Sequence, residues 1–299
     1  MIYSDNLSLD LPSEKTDVEI CRFSHNAMAT VFEIITVHED QDYAEKCAHE
    51  AFTELDRLEQ ELSRFIENSD ISRINKSETG QPVRIGTDTF DCLEECARLS
   101  KDTRNAFDVV HRRSERSDNN KETAIFLNKD DFTVIKRQDD IYLDLGGFGK
   151  GFAVDRMAGI LVEWDVNIAL INGGMSSILA LDPPPGELGW RMAIRNPQDK
   201  DHIISKMELN KRAVSGSGIR KGMHIIDPAT GVPVTGKYAA WALADSAALS
   251  DGLSTAFMVM PPEDISDYCL TNDNTQGIII IKEDEGKDNI LGFGNVEIF

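Results

Sequence analysis

Four glycines and one lysine lie in the stretch DLGGFGKGFAVD, Asp144 to Asp155, between a short apolar run and a helical pattern. A strand is predicted over 141–145 and a helix over 150–163. Glycines let the backbone approach a ligand, and a helix N-terminus offers unpaired N–H groups. Lys150 at the helix start is unfavourable for the helix dipole, which suggests another role, such as phosphate binding. The loop is neither a Walker A nor a GxGxxG sequence. Alone, it predicts either a ligand site or a structural turn.

The size and charge of the chain limit the classes of function. With 299 residues, it is long enough for one large domain or two closely packed lobes. The net charge of −21, from 31 basic and 52 acidic residues, argues against a general nucleic-acid or anionic-membrane surface. It does not exclude a small anionic ligand, because backbone N–H groups and one lysine can hold a phosphate.

The N-terminus and the cysteines bear on location and redox chemistry. Residues 1–18 are polar, so we predict a flexible N-terminal arm followed by a single domain over 19–299. We expect a soluble, cytoplasmic protein, because no segment resembles an export signal or a membrane span. A trimmed signal would instead mean a periplasmic or membrane-anchored protein. The five cysteines, Cys21, Cys47, Cys92, Cys96 and Cys269, match no CxxC pair and no zinc spacing. Cys92 and Cys96 are four residues apart on a predicted helix and are expected to be packed thiols.

Periodicity predicts an α+β fold. Alanines and leucines recur at three- or four-residue steps over 42–65, which indicates an amphipathic helix. A second helix is predicted from Thr87 or Asp88 to about Lys101, and another after Ser250. These helices are interspersed with short strands rather than arranged in a regular βαβ array. Later strands are predicted around 190–195, 203–209, 213–215 and 277–281.

Two later stretches carry candidate chemistry. In SDGLSTAF, Asp251 and Thr255 are four residues apart and share a face if the segment is helical. A carboxylate with a hydroxyl suits magnesium holding a diphosphate; alternatively, Asp251 only starts the helix and Thr255 bonds its own backbone. In MHIIDPATGVP, His224 stands before the apolar pair Ile225 and Ile226. Its imidazole suits acid–base work or phosphate binding, although a packing role is the alternative.

The order of these segments resembles that of the ApbE family, the FAD:protein FMN transferases. AMAT at 27–30 is similar to the family's methionine-containing motif, and LEQELSRFIENSDISRIN to its first long helix and the following turn. DLGGFGKGFAVD is similar to its glycine loop, while ALINGG, HIIDPATGVP and LSDGLSTAF match later motifs. For the α+β fold, the resemblance implies two packed lobes of mainly antiparallel sheet with flanking helices.

The resemblance also implies an activity and a set of site residues. Family members are magnesium-dependent enzymes that cleave the pyrophosphate of FAD, attach FMN through a phosphoester to a Thr or Ser of a partner flavoprotein, and release AMP. By resemblance, Gly147, Asp251 and Thr255 would hold the metal. His224 would lie near the diphosphate as the proton-transfer residue, with Asp251 as the alternative base. Contacts to the flavin nucleotide would come from Met28, Phe65, Ala106, Phe107, Asp108, Asp144, Lys150 and Ile225.

Three positions depart from the family pattern. Phe65 stands where many members have tyrosine, Val110 ends FDVV where FDPT or FDVT is usual, and Ile219 occupies another tyrosine position. Two alternatives to the transferase therefore stay open. One is an FAD pyrophosphatase, in which water replaces the protein hydroxyl and FMN and AMP are released. The other is an FAD-binding homologue with weak or no transferase activity.

Overall fold

The computed structural model describes residues 2–3, 7–10, 20–112, 124–174, 176–199, 201–219, 222, 225–282 and 288–299. The predicted site residue His224 lies outside the described residues. The helices are α1 (Gln41–Leu62), α2 (Asp70–Lys76), α3 (Thr87–Asp102), α4 (Gly149–Glu163), α5 (Ala247–Val259) and α6 (Pro262–Thr271).

The strands are mostly short. In chain order they are β1 (Ile2–Tyr3), β2 (Leu7–Asp10), β3 (Ile20–Ala27), β4 (Thr30–Val37), β5 (Pro82–Arg84), β6 (Val110–Arg112), β7 (Ile125–Asn128), β8 (Thr133–Lys136), β9 (Ile141–Leu143), β10 (Ala169–Gly173), β11 (Ser177–Ala180), β12 (Trp190–Arg195), β13 (Ile203–Leu209), β14 (Arg212–Gly218), β15 (Lys237–Ala244), β16 (Gln276–Lys282) and β17 (Asp288–Phe293).

An eight-stranded sheet forms the centre of the fold, in the order β17-β16-β15-β14-β11-β10-β4-β3. Its neighbouring strands are antiparallel throughout the described residues. A four-stranded sheet, β1-β2-β12-β13, and two smaller sheets, β5-β8-β7 and β6-β9, complete the strand pairing. The α+β prediction with mainly antiparallel sheets and flanking helices is therefore confirmed.

The central sheet separates two hydrophobic cores, because successive side chains of a strand point to opposite faces. On one face, Ile34 and Ala242 pack with residues of α1, α4 and α5 in the larger core. On the other, Ile35 and Trp241 pack with Trp190 and other residues of the four-stranded sheet. The glycine loop and both helices of the candidate site lie on the side of the larger core.

Helix α1 follows the predicted pattern closely. Asp40 caps it, accepting a hydrogen bond from the Tyr43 N–H at 3.0 Å. The predicted helix over 42–65 ends three residues early, at Leu62, because Ser63 adopts an extended backbone conformation. One apolar face is buried and consists of Ala44, Cys47, Ala48, Ala51, Phe52, Leu55, Leu58 and Leu62.

Two sequence predictions need correction. A loose arm over 1–18 is wrong for Leu7–Asp10, since this segment pairs with β12 and buries Leu7 in the smaller core. The rest of the arm lies outside the described residues, apart from strand β1, which pairs with β2. Helix α5 begins at Ala247 rather than after Ser250, because Ser246 caps it and accepts a hydrogen bond from the Leu249 N–H.

All five cysteines are free and buried, which confirms the packed thiols predicted at Cys92 and Cys96. Burial raises the pKa of Cys47 and of Cys269 to about 11, so neither thiol is reactive at neutral pH. Among the described residues, no helix combines the length and the apolar composition that a membrane span requires.

Candidate active site

The glycine loop connects β9 to α4 and is folded around its own polar groups. The Asp144 carboxylate accepts the Gly146 N–H at 3.0 Å through Oδ1. Its Oδ2 lies 2.9 Å from Nε of Arg64, which follows the end of α1. The Lys150 ammonium donates to the Gly146 carbonyl at 2.9 Å. Two cations therefore hold the loop, Arg64 at the Asp144 carboxylate and Lys150 at the Gly146 carbonyl.

Helix α5 supplies a carboxylate and a hydroxyl to the same place. Asp251 is buried, whereas Thr255, one turn later, is partly exposed. Asp251 Oδ2 accepts the Gly151 N–H at 3.1 Å, which joins α5 to the first turn of α4. Thr255 Oγ1 lies 3.1 Å from the Ser217 hydroxyl and 3.4 Å from the Asp251 carbonyl. The shared face predicted from the four-residue spacing is therefore present.

The glycine loop touches α5 directly at Gly147. A Cβ atom built on Gly147 would lie 2.8 Å from Thr255 Oγ1, which is closer than real Cβ contacts allow. The absence of a side chain at this position therefore permits the loop backbone to meet the threonine hydroxyl. Gly147 thus contacts Thr255, which lies one turn after Asp251 on α5; these are the three residues predicted to hold a metal.

Lys150 and Asp251 form the charged centre of the site. Their Nζ and Oδ2 atoms are 3.9 Å apart, and the aspartate side chain is only 4% exposed. Burial raises the pKa of Asp251 above its ordinary value, while the Lys150 ammonium and the Gly151 N–H act in the opposite direction. A buried carboxylate with one cation and one backbone donor can be completed by a second cation, such as a metal ion.

The predicted nucleotide contacts occupy different environments. Phe107 is buried, and its ring lies 5.8 Å from that of Phe148 in the glycine loop. Its half-buried neighbours Ala106 and Asp108 lie beside it, and Asp108 Oδ1 accepts the Val110 N–H at 2.8 Å. The 106–108 segment therefore adjoins the glycine loop through Phe107.

Phe65 is the most exposed of the predicted contacts, with 81% of its surface accessible. The Arg64 guanidinium lies over its ring at 4.2 Å from the centroid. Because Arg64 also pairs with Asp144, the exposed ring stands beside the glycine loop. An accessible aromatic ring in this position is suited to stacking against a planar ligand.

Met28 and Ile225 are held by the larger core. Met28 is half-buried, has a positive φ of 49°, and donates its backbone N–H to Glu59 Oε1 at 2.7 Å. Ile225 is buried in the same core, and its carbonyl accepts the Val234 N–H at 2.9 Å. Neither residue shows a hydrogen bond to the Lys150–Asp251 centre within the described part of the chain.

Four residues near the site were missed by the sequence reading. Arg64 and Ser217 contact the predicted residues Asp144 and Thr255, but nothing in their local sequence indicates these distant partners. Gly151 lies inside the recognised motif, although its bond to Asp251 depends on tertiary structure. His111 stacks on Tyr142 at 5.2 Å. Burial lowers the pKa of His111, and the charges of Asp144 and Asp108 oppose this shift.

The donor set fits magnesium bound together with a phosphate ligand. No group of three or more His, Cys, Asp or Glu side chains in the described ranges could hold a metal by itself. Magnesium, however, is usually bound by one or two carboxylates plus substrate phosphates and waters. Asp251, the Thr255 hydroxyl and the Gly147 carbonyl are hard oxygen donors of this kind. They would leave most of the coordination sphere to the ligand.

The α+β fold is shared with solved flavin transferases. The flavin transferase ApbE from Vibrio cholerae superimposes with a TM-score of 0.78 at 23% identity, covering 92% of this chain and 97% of that one. The flavinyl transferase ApbE from Pseudomonas stutzeri gives a TM-score of 0.79 at 22% identity, covering 94% and 96%. At these identities the likeness establishes the fold.

The sequence identifies the family itself. The ApbE family profile matches residues 28–279, so the chain belongs to the ApbE family. The FAD:protein FMN transferase of Haemophilus influenzae is 24% identical, over 94% of this chain and 92% of the relative. That of Vibrio cholerae is 27% identical, over 78% and 80%. The resemblance inferred from the motifs is therefore confirmed.

Proposed function

We propose that the protein is a magnesium-dependent FAD:protein FMN transferase. It would cleave the pyrophosphate of FAD, attach FMN through a phosphoester to a Thr or Ser of a partner flavoprotein, and release AMP. The observation that carries this proposal is the convergence of Lys150 and the glycine loop with Asp251 and Thr255. Membership of the ApbE family and the names of its curated relatives support the same activity.

Charge neutralisation is the main task of such a site, because phosphoryl transfer needs positioning and electrostatic stabilisation more than covalent catalysis. Lys150 would bind a phosphate oxygen after exchanging its present bond to the Gly146 carbonyl. Asp251, Thr255 and the Gly147 carbonyl would hold magnesium, which neutralises charge on the diphosphate when bound. The N–H groups at the start of α4 add a favourable dipole for the anion.

The transfer step breaks one phosphorus–oxygen bond and forms another. The hydroxyl oxygen of the acceptor attacks the phosphorus of the FMN half, and the bond to the bridging oxygen breaks so that AMP leaves. The acceptor's proton must pass to a base during this attack. We assign that role to His224, which lies outside the described residues, with Asp251 as the alternative.

The remaining predicted residues would bind and orient the nucleotide. Phe65 offers an exposed ring for stacking, and the 106–108 segment adjoins the loop through the contact of Phe107 with Phe148. Asp144 orients the loop by accepting the Gly146 N–H, and Arg64 holds Asp144 in place. Met28 and Ile225 would add apolar contacts from the larger core.

The test is to incubate the protein with FAD, magnesium and a candidate acceptor flavoprotein, and to measure protein-bound flavin fluorescence and AMP. Labelled acceptor with an equal amount of AMP, and no reaction after chelation of magnesium, is the expected result. Free FMN without labelled acceptor would indicate the pyrophosphatase instead. Tight FAD binding without either product would indicate a binding homologue, and no FAD binding at all would contradict the proposal.

Matched variants connect the activity to the site. Thr255→Val removes the hydroxyl while it keeps the shape of the side chain, so we expect weaker magnesium binding, and therefore a higher magnesium requirement, with the fold intact. Thr53→Val is the control, because Thr53 is exposed on α1 and its hydroxyl bonds to the carbonyl and the ring of His49 on the same helix. Equal magnesium requirements in the two variants would argue against Thr255 as a metal ligand.

A further inference from the structure

Asp155, the last residue of the glycine-rich motif, holds the beginning of α5. Its Oδ1 accepts the Ala247 N–H at 2.7 Å, and its Oδ2 accepts the Ala248 N–H at 2.8 Å. Both alanines are fully buried. The first N–H groups of a helix have no partner inside the helix, and a buried helix end must find them elsewhere. The carboxylate of α4 supplies two of these partners.

A second contact joins the same two helices one turn away. Gly151 and Asp155 are four residues apart on α4, so they lie on one face of that helix. The Gly151 N–H donates to Asp251, while a Cβ on Gly151 would lie 2.8 Å from the Cβ of Asp251. Helix α4 is therefore held against α5 by two contacts, one at Gly151 and one at Asp155. Lys150 and Asp251 lie beside the Gly151 contact.

The Asp155 carboxylate is costly to bury, which argues against an incidental contact. Burial raises its pKa to about 6, even though the N–H groups of Ala248 and Ala247 lower it. Ser246 already caps the same turn, because its hydroxyl oxygen accepts the Leu249 N–H at 3.2 Å. A serine cap alone serves many helices. The additional carboxylate sets the position of α5 relative to α4.

We propose that Asp155 is a positioning residue for the metal and phosphate site. By binding the first turn of α5, it places Asp251 against Lys150 and the glycine loop. The Asp155 carboxylate bonds to the backbone of Ala247 and Ala248, so it acts on the position of Asp251 through that backbone. This inference rests on the proposed function, because it assigns Asp155 a role in metal and FAD binding beyond the stability of the fold.

The test compares Asp155→Asn with a matched capping variant elsewhere, Asp40→Asn. Asp40 caps α1 through the Tyr43 N–H and is exposed, so the same substitution there alters a helix cap away from the site: the amide oxygen can still accept the N–H, but the charge is lost. Binding of Mn²⁺, measured by electron paramagnetic resonance, and the magnesium concentration for half-maximal AMP release are determined for each protein. Outer residues that orient metal ligands typically change affinity by about 10–100-fold.

We expect Asp155→Asn to weaken Mn²⁺ binding and to raise the magnesium requirement about tenfold. Asp40→Asn should lower the thermal midpoint slightly and leave both metal constants unchanged. A purely structural role for Asp155 would reduce the amount of folded enzyme without changing either constant. Unchanged metal constants in folded Asp155→Asn would therefore overturn the proposal.

Two further measurements keep the outcome decisive. If Asp155→Asn does not fold, Asp155→Glu moves the carboxylate by one methylene group while it keeps the charge, and unchanged metal constants in that variant would refute the positioning role. Absence of Mn²⁺ binding and FAD cleavage in the wild type would count against the proposed function instead. Amide hydrogen exchange over residues 247–251 then tests Asp155 directly. Faster exchange in Asp155→Asn supports the role, and unchanged exchange overturns it.

Discussion

Gly147 and Thr255 meet so closely that a Cβ atom on the glycine would lie 2.8 Å from the threonine hydroxyl oxygen. The two residues come from the loop before α4 and from the middle of α5. Their contact means that the backbone of the loop and the side chain of the helix must be positioned together. Any group added at Gly147 displaces one of them.

We expect Gly147→Ala to fold and to lose metal and FAD affinity. Relief of the clash requires a shift of the loop or of Thr255, at a cost of about 1–3 kcal/mol in the free energy of unfolding. Turnover should fall by at least about tenfold if the metal ligands move, since small displacements in an active site are costly. AMP release and thermal unfolding measure the two effects separately.

Gly159→Ala is the matched control for this substitution. Gly159 lies in the interior of α4, where an added Cβ has no neighbour within 4 Å. Alanine is the better helix former, so the variant should be more stable by about 0.5–1 kcal/mol. Its AMP release should equal that of the wild type. Equal activity of Gly147→Ala and Gly159→Ala would contradict the proposed loop geometry.

Lys150→Gln should weaken FAD binding by about 10–100-fold, the equivalent of a charge-assisted hydrogen bond to a phosphate. The ammonium is the nearest described cation to Asp251, at 3.9 Å. Flavin fluorescence quenching gives the dissociation constant for FAD. The same measurement with FMN, which carries one phosphate instead of two, serves as a comparison. Lys46→Gln, on the exposed face of α1, should bind FAD as the wild type does. Similar FAD affinities for both variants would exclude Lys150 as a phosphate ligand.

Phe65→Ala should raise the KM for FAD by about three- to tenfold through loss of ring stacking, with little change in kcat. Because the side chain is 81% exposed, the thermal midpoint should hardly move. Leu188→Ala serves as control, since Leu188 is 80% exposed and lies just before β12. A KM for FAD that is unaffected by Phe65→Ala would remove this ring from the nucleotide site.

We expect the buried side chain of Lys237 to make the stability of the fold depend on pH, separately from the active site. Its ammonium is buried and donates to the carbonyls of Phe257 and Met260 at the end of α5. Burial lowers its pKa from 10.5 to about 8. Between these two values the unfolded chain binds more protons than the folded one, so the contribution of this group to stability rises with pH.

The comparison of wild type with Lys237→Met isolates this effect. From pH 8 to pH 10.5, the free energy of unfolding of the wild type should increase relative to the variant by up to about 3 kcal/mol. Chemical denaturation at several pH values measures the difference. A constant difference across this range would show that Lys237 has an ordinary pKa.

Periodic segments and motifs were predictable from the sequence, whereas features that depend on distant partners were not. Helices α1 and α3 were found because their apolar residues repeat with the helical period. Strand β15 was missed because it is buried on both faces and shows no alternation. Strand β2 was missed because only its pairing with β12 identifies it.

The candidate site shows the same division. The spacing of Asp251 and Thr255 placed them on one helix face, and the glycine loop preceded a helix as expected. The start of α5 at Ala247 was missed: Ser246 is a local capping residue, but the N–H groups of Ala247 and Ala248 are satisfied by Asp155 on another helix. The Arg64–Asp144 pair likewise joins two segments that carry no sequence signal for each other.

The bond between Gly151 and Asp251 has a consequence for how the protein is made. Synthesis begins at the N-terminus, so the glycine loop leaves the ribosome well before α5, and strands β10 to β15 come between them. The loop therefore emerges without Asp251, the residue of α5 that we propose as a metal ligand. A nascent chain that ends before Ala247 contains the entire glycine-rich motif but only part of the proposed site. We therefore expect affinity for the nucleotide to arise late, as a property of the nearly finished chain.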